Sequence, residues 1–157
     1  MSALLDRSQP AVLAPTSTSE FTQLNCHSQS YTINGIPTDT VITSHTDTIH
    51  IIITQNQLIG GCIIECGIDN IESTDRHYTS RQLLGNRSGT VNESMLARQL
   101  IQYIADHQFH QTSIILMCSL KKSKSTPSDL VDNSLIKTLF TLITQSNIIQ
   151  QCIQQPQ

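Results

Sequence analysis

Between Thr48 and Cys66 the chain reads T-I-H-I-I-I-T-Q-N-Q-L-I-G-G-C-I-I-E-C, two apolar runs parted by the polar break Gln55-Asn56-Gln57. β-Branched Ile and Thr are stiff at the first side-chain torsion and suit a pleated surface better than a helix. Gly60-Gly61 in mid-run would cost a helix roughly 1 kcal/mol each. The pattern predicts a β-hairpin turning at Asn56-Gln57, with Ile53 facing Gly60, Ile51 facing Cys62 and Ile49 facing Ile64. Side chains alternate across a sheet. One face is then Ile49, Ile51, Ile53, Gly60, Cys62 and Ile64, which is core. The other is His50, Ile52, Thr54, Ile59, Gly61 and Ile63, which is only half apolar.

The rest of the pattern falls around that stretch. Residues 1–28 are rich in Ser, Thr and Pro without sustained periodicity, and a disordered tail is expected there. From Gln29, Tyr31-Thr32-Ile33, the turn at Asn34-Gly35 and Thr38–Ser44 predict two strands. A turn at Ser44–Asp47 then leads into the hairpin, so Gln29–Cys66 is expected to form a four-stranded antiparallel meander. Gly67–Asp75 is polar with three acidic residues and reads as a loop, after which Arg76–Leu84 can return as a fifth strand. Thr90 and Glu93 have capping-box spacing. The helix they open carries Met95, Leu96, Leu100, Ile101 and Ile104 at helical spacing and should stop near His107–Gln108. Ser113–Leu120 is a short continuous apolar run, the signature of a strand buried on both faces. Thr126 as N-cap, Pro127 at the first helical position and Asp129 behind them open a last helix. Its stripe is Val131, Leu135, Leu139, Leu142 and Ile143, and the Gln-rich end beyond it should fray.

The expected fold is α+β: an antiparallel sheet of five or six strands with two helices on one face, in the order ββββ(β)αβα. Residues 29–150 form the domain, with 151–157 as a frayed terminus. Two helices cannot cover both faces of such a sheet. An uncovered, partly apolar sheet face marks an interaction surface. A dimer packed sheet on sheet is therefore expected, with Val41, His50, Ile52, Ile59 and Ile63 at the contact.

Composition narrows the partners. Apolar residues make up 38% of the chain, low enough that part of its length should lie outside the core. The formal charge is −3 and the nine Lys and Arg residues are dispersed, without the basic stripe that nucleic acid requires. Lys121, Lys122 and Lys124 read as a solvated turn rather than an anion site. No apolar run approaches the ~20 residues of a membrane span, and M-S-A-L-L-D-R-S-Q-P lacks the basic and apolar regions of a signal peptide. Five cysteines stand without a C-x-x-C pair, and three lie in apolar strands as small buried hydrophobes. That count and spacing argue for a reducing compartment and a cytoplasmic location, the nucleus remaining open. Asn86-Arg87-Ser88 and Asn92-Glu93-Ser94 then match the glycosylation acceptor pattern by chance.

No catalytic constellation emerges. The chain holds no glycine-rich phosphate loop, G-x-S-x-G elbow or H-E-x-x-H. His107-x-x-His110 lacks a third ligand at recognisable spacing, so a surface pair is the simpler reading than a metal site. Cys62 and Cys66 are staggered along a strand, where packing is the simpler reading than redox work. His50 reads first as a half-buried interface residue, and as a pH switch only second. Neither an enzyme nor a cofactor is expected.

Gly35-Ile36-Pro37-Thr38, then Thr40-Val41-Ile42, then Ile51-Ile52-Ile53-Thr54-Gln55 resembles the proteasome assembly chaperone 3 family. Leu83-Leu84-Gly85 before the first helix and the placement of the second helix also look like that family, so the resemblance runs from about Ser30 to Ile149. It implies a non-catalytic chaperone that pairs with assembly chaperone 4 or with itself, helps build the ring of α-type subunits of the 20S proteasome, and leaves before the particle is mature. The Ser/Thr/Pro-rich start and the Gln-rich end depart from the family pattern, and no function is carried onto them. The acidic loop, with Ile68, Asp69, Glu72 and Asp75, is the candidate for subunit contact, since loops on rigid scaffolds often carry binding. A longin- or roadblock-like scaffold or trafficking domain is the alternative, and a small hydrolase or metal enzyme stands behind it.

Overall fold

The computed structural model describes residues 25–55, 57, 61–69, 76–85, 91–107, 109, 111–121 and 133–153. Six strands and three helices follow one another as β1 (Asn25–Ile33), β2 (Ile36–Ser44), β3 (Thr48–Thr54), β4 (Cys62–Asp69), β5 (His77–Leu84), α1 (Val91–Asp106), β6 (Ser113–Ser119), α2 (Asn133–Gln145) and α3 (Ile148–Ile153). This is an α+β fold with a single six-stranded sheet. Asn34 and Gly35, with φ of 52° and 76°, make the two-residue turn whose twist suits a hairpin, with Ile33 opposite Ile36. β1 starts at Asn25, four residues ahead of the expected Gln29, because the pairing with β2 runs on to Asn25 opposite Ser44.

The predicted β3–β4 hairpin does not form. The strand order is β1-β2-β3-β6-β4-β5, with β6 between the two expected partners, parallel to β3 and antiparallel to β4. The sheet is thus mixed, with one parallel pairing. Ser113–Ser119 is the most continuously apolar strand, and a central place lets it satisfy both backbone edges. Ile51 and Ile64 both lie opposite Leu116, so insertion of β6 preserves the face on which each residue was expected. Ile49, Ile51, Ile53, Cys62 and Ile64 are all buried. β6 itself departs from expectation: Ile114, Leu116 and Cys118 are buried, whereas Ile115 and Met117 are only half-buried.

The helices cover that one face. α1 turns Leu96, Ala97, Leu100, Ile101, Ile104 and Ala105 inward, while Met95 points outward and is exposed. It packs on β4, β5 and β6, and α2 lies against α1 and α3. α2 buries Leu135, Ile136, Leu139 and Ile143, with Leu142 at its margin. Thr90, Thr126, Pro127, Asp129 and Val131 lie outside the described residues. α3 runs three residues into the 151–157 end that was expected to fray, and it buries Ile148, Ile149 and Cys152 against β1 and β2; 154–157 lie outside the described residues. The Gln residues of α3 hid three apolar positions at helical spacing.

Gln55 ties three strands together just past the end of β3. Its backbone N–H donates to the Ser119 carbonyl at 2.9 Å. Its side chain donates to Thr38 Oγ1 at 3.1 Å and accepts from the Lys121 backbone at 2.9 Å. Two residues beyond Thr38 along β2, on the same face, Thr40 is buried and its hydroxyl has no partner among the described residues. Such a group costs ~1–3 kcal/mol. Thr40→Val, which keeps the shape, is expected to stabilise the domain by about 1 kcal/mol, read as a higher midpoint in urea at unchanged slope.

Candidate functional site

The second face of the sheet carries an apolar row running across the strands. Val41 lies opposite Ile52, Ile52 opposite Met117, Met117 opposite Ile63 and Ile63 opposite Leu84. Five strands contribute, and every member is at least partly open to solvent; Leu84 is 60% exposed. Beside it runs a mixed row of Thr43, His50, Ile115, Glu65 and Arg81, again direct neighbours across the same strands. Arg81 clasps Glu65 through Nη2 at 2.6 Å and Nε at 3.1 Å. An exposed pair of this kind is worth little to stability, but it gives the row a fixed polar end. Thr48 and Ser113 share a hydrogen bond of 2.8 Å on the far side.

Of the residues expected at the contact, Val41, His50, Ile52 and Ile63 all stand on this face, and Ile59 lies outside the described residues. Met117, Ile115 and Leu84 were missed. Their alternation was hidden because β6 and the end of β5 are apolar at successive positions. A hollow of about 40 Å³ sits in the face beside Gly61, bordered by Ile52, Thr54, Ile63, Met117 and Ser119. Small-molecule sites run to ~300–1,000 Å³, so this is surface relief.

His50 stacks at a tilt on His45, ring centroids 4.5 Å apart. Burial first, and His45 second, lower its pKa from 6.5. Both act against the imidazolium. Below pH 6.5 the unfolded chain therefore takes up a proton that the folded chain refuses, and stability falls as the pH drops from there to the folded pKa. Thermal melts from about pH 8 to about pH 5 are expected to show that loss, and His50→Asn is expected to reduce it.

The expected binding loop begins later than predicted. Ile68 and Asp69 are the last residues of β4, paired with Tyr78 and His77. Ile68 and Tyr78 are partly buried and pack against the core, so Ile68 stands in the strand and not in the loop. Asp69 is exposed at the strand end, and Glu72 and Asp75 lie outside the described residues. His107 is exposed, with Nδ1 2.8 Å from the Tyr103 carbonyl and its ring stacked on Phe109; His110 lies outside the described residues. Among the described residues no three His, Cys, Asp or Glu side chains gather as metal ligands. No helix among them is long and apolar enough to cross a membrane.

The family model described as proteasome assembly chaperone 3 matches residues 51–138. The chain belongs to that family. It is a family of chaperones. Among solved structures, a chain from a yeast complex described as a novel chaperone complex for 20S proteasome assembly is similar, with a TM-score of 0.55 at 15% identity. The match covers 76% of this chain and 96% of that one. No curated protein matches. At that identity the likeness speaks for the fold, and the family match speaks for the class of work. Two of the stretches that carried the resemblance, Gly35–Thr38 and Ile51–Gln55, meet in the structure at the hydrogen bond between Gln55 and Thr38.

Proposed function

We propose that this chaperone promotes assembly of the α-ring of the 20S proteasome as a dimer, pairing through its open sheet face with a related assembly chaperone 4-like subunit or with a second copy of itself. The observation that carries the reading is the apolar row from Val41 to Leu84, on a face that is at least partly open to solvent among the described residues. A half-buried row of Val, Ile, Met and Leu with fixed polar neighbours has the make-up of an interface, apolar at the centre and polar at the rim. The work then needs shape and surface, not a reaction centre. Contact with α-type subunits is assigned to the acidic segment after β4, beginning at Asp69 and including Glu72 and Asp75.

Capture of the tagged chain from cell extract, followed by mass spectrometry, tests the reading. Recovery of α-type subunits with a small related chaperone, and without mature 20S particles, is the expected result. Recovery of only mature particles, or of no proteasome subunit, would overturn it.

A further inference from the structure

Cys62 and Cys118 are direct cross-strand partners on the helix-facing side of the sheet, at the first residue of β4 and the last but one of β6. Directly opposed residues of antiparallel strands have Cα atoms ~4.5–5.5 Å apart, inside the ~4.4–6.8 Å that a disulfide spans. Both thiols are free, and they touch. The Cys118 thiol hydrogen-bonds to the Cys62 sulfur, which holds the Cys62 thiol below its ordinary range. The same bond, with burial, pushes Cys118 well above it. Of the two protons, the one on Cys62 is the first to leave and the other is retained on Cys118.

The remaining cysteines are not placed this way. Cys66 stands four residues along the same strand, ~13 Å away at ~3.3 Å per residue, and burial pushes its thiol up to about 11. Cys152 donates to the Asn25 carbonyl at 3.0 Å, and Cys26 is exposed on β1. Cys62 and Cys118 also border the hollow at Gly61 on the open face, while their side chains are buried in the core on the helix-facing side.

We propose that Cys62 and Cys118 form a reversible dithiol–disulfide site, oxidised by a hydroperoxide and reset by a small thiol. The Cys62 thiolate attacks a peroxide oxygen. The O–O bond breaks, Cys62 becomes a sulfenic acid, and the leaving hydroxide takes the proton shed by the thiol. Cys118 sulfur then attacks Cys62 sulfur, the S–O bond breaks, and the second hydroxide leaves with the Cys118 proton as water. Two thiols and one hydrogen peroxide become one disulfide and two waters. The cross-link ties β4 to β6 directly beside Ile63 and Met117, the middle of the apolar row.

The full chain, treated with hydrogen peroxide at the dose that oxidises the exposed Cys26, then denatured, alkylated and digested, tests the site. The expected product is one linked peptide pair holding Cys62 and Cys118, about 2 Da lighter than the two reduced peptides. Cys66 and Cys152 should be alkylated, and prior reduction with dithiothreitol should restore both partners. Recovery of Cys62 and Cys118 as alkylated thiols, of Cys62 as a sulfinic acid, or of Cys62 bound to another cysteine would overturn the proposal. Cys118→Ser should abolish the link, and the wild-type peptide map decides the matter even if that variant does not fold.

Discussion

Ile52→Glu is expected to give a folded protein that no longer pairs, whereas Ile51→Glu is expected not to fold. The two positions are neighbours in β3 but point to opposite sides. Ile51 is fully buried between Ile42 and Leu116, under the helices. A carboxylate there is either buried without a partner, at several kcal/mol, or protonated at a raised pKa. Either outcome takes most of the ~5–15 kcal/mol that holds a domain together. Ile52 is half-buried between Val41 and Met117, and in the single protomer a carboxylate there reaches water. In a dimer with ~800 Å² buried per partner the same group would lie near the centre of the contact. Sedimentation gives the mass and circular dichroism the fold. If Ile52→Glu stays paired while Ile51→Glu is a folded monomer, the faces are inverted. If both unfold, both faces belong to one protomer's core and the pairing surface lies elsewhere.

Gly61→Ala is expected to destabilise the domain by about 3 kcal/mol and lower Tm by roughly 10 °C. A β-carbon at Gly61 would run into the Cys118 carbonyl, with the carbonyl carbon at 2.9 Å and the Ser119 Cα at 3.0 Å. All three are backbone atoms of the central strand β6, and none can swing aside as a side chain would. The chain must therefore lift off β6 just where β4 begins, loosening the pairing of Cys62 with Cys118. Gly67→Ala is the control. Its β-carbon would meet only Thr79 Oγ1 at 3.5 Å and the Thr112 carbonyl at 3.8 Å, ordinary contact distances. A change within ~0.5 kcal/mol is expected there. Equal losses at the two positions would mean that glycine matters at Gly61 for some reason other than close approach.

The sequence misread β3 and β4 as a hairpin, and the physical reason bears on the chemistry. Alternation of Ile49, Ile51 and Ile53 with His50, Ile52 and Thr54 is local, and it assigned each residue to its correct face. Adjacency was inferred only from nearness in sequence. Nothing in Gln55-Asn56-Gln57 had the Asn-Gly or Gly-X chemistry that a tight hairpin demands, which the Asn34-Gly35 turn does have. The error also hid Cys118. With β3 beside β4, Cys62 appeared to face Ile51, and the only thiol in view was Cys66, too far along the strand to matter.

The sequence alone therefore determined the order of the six strands and of α1 and α2 to within a few residues, which side β3 and β4 bury, where α1 stops, and the family, through Gly35–Thr38, Thr40–Ile42, Ile51–Gln55 and Leu83–Gly85. These depend on side-chain size, branching and spacing within a few residues. The tertiary structure alone decided that β6 lies between β3 and β4, and that Val41, Ile52, Met117, Ile63 and Leu84 line up. It also decided that Gln55 reaches Thr38 and that Cys62 meets Cys118. Those facts depend on which strands pair, and pairing is made by backbone N–H and C=O groups that are the same at nearly every residue. Any apolar strand could satisfy β3's open edge. The one that does so comes from about 60 residues further along the chain, because it lets both sides of Ser113–Ser119 be paired while all the buried isoleucines stay beneath the helices.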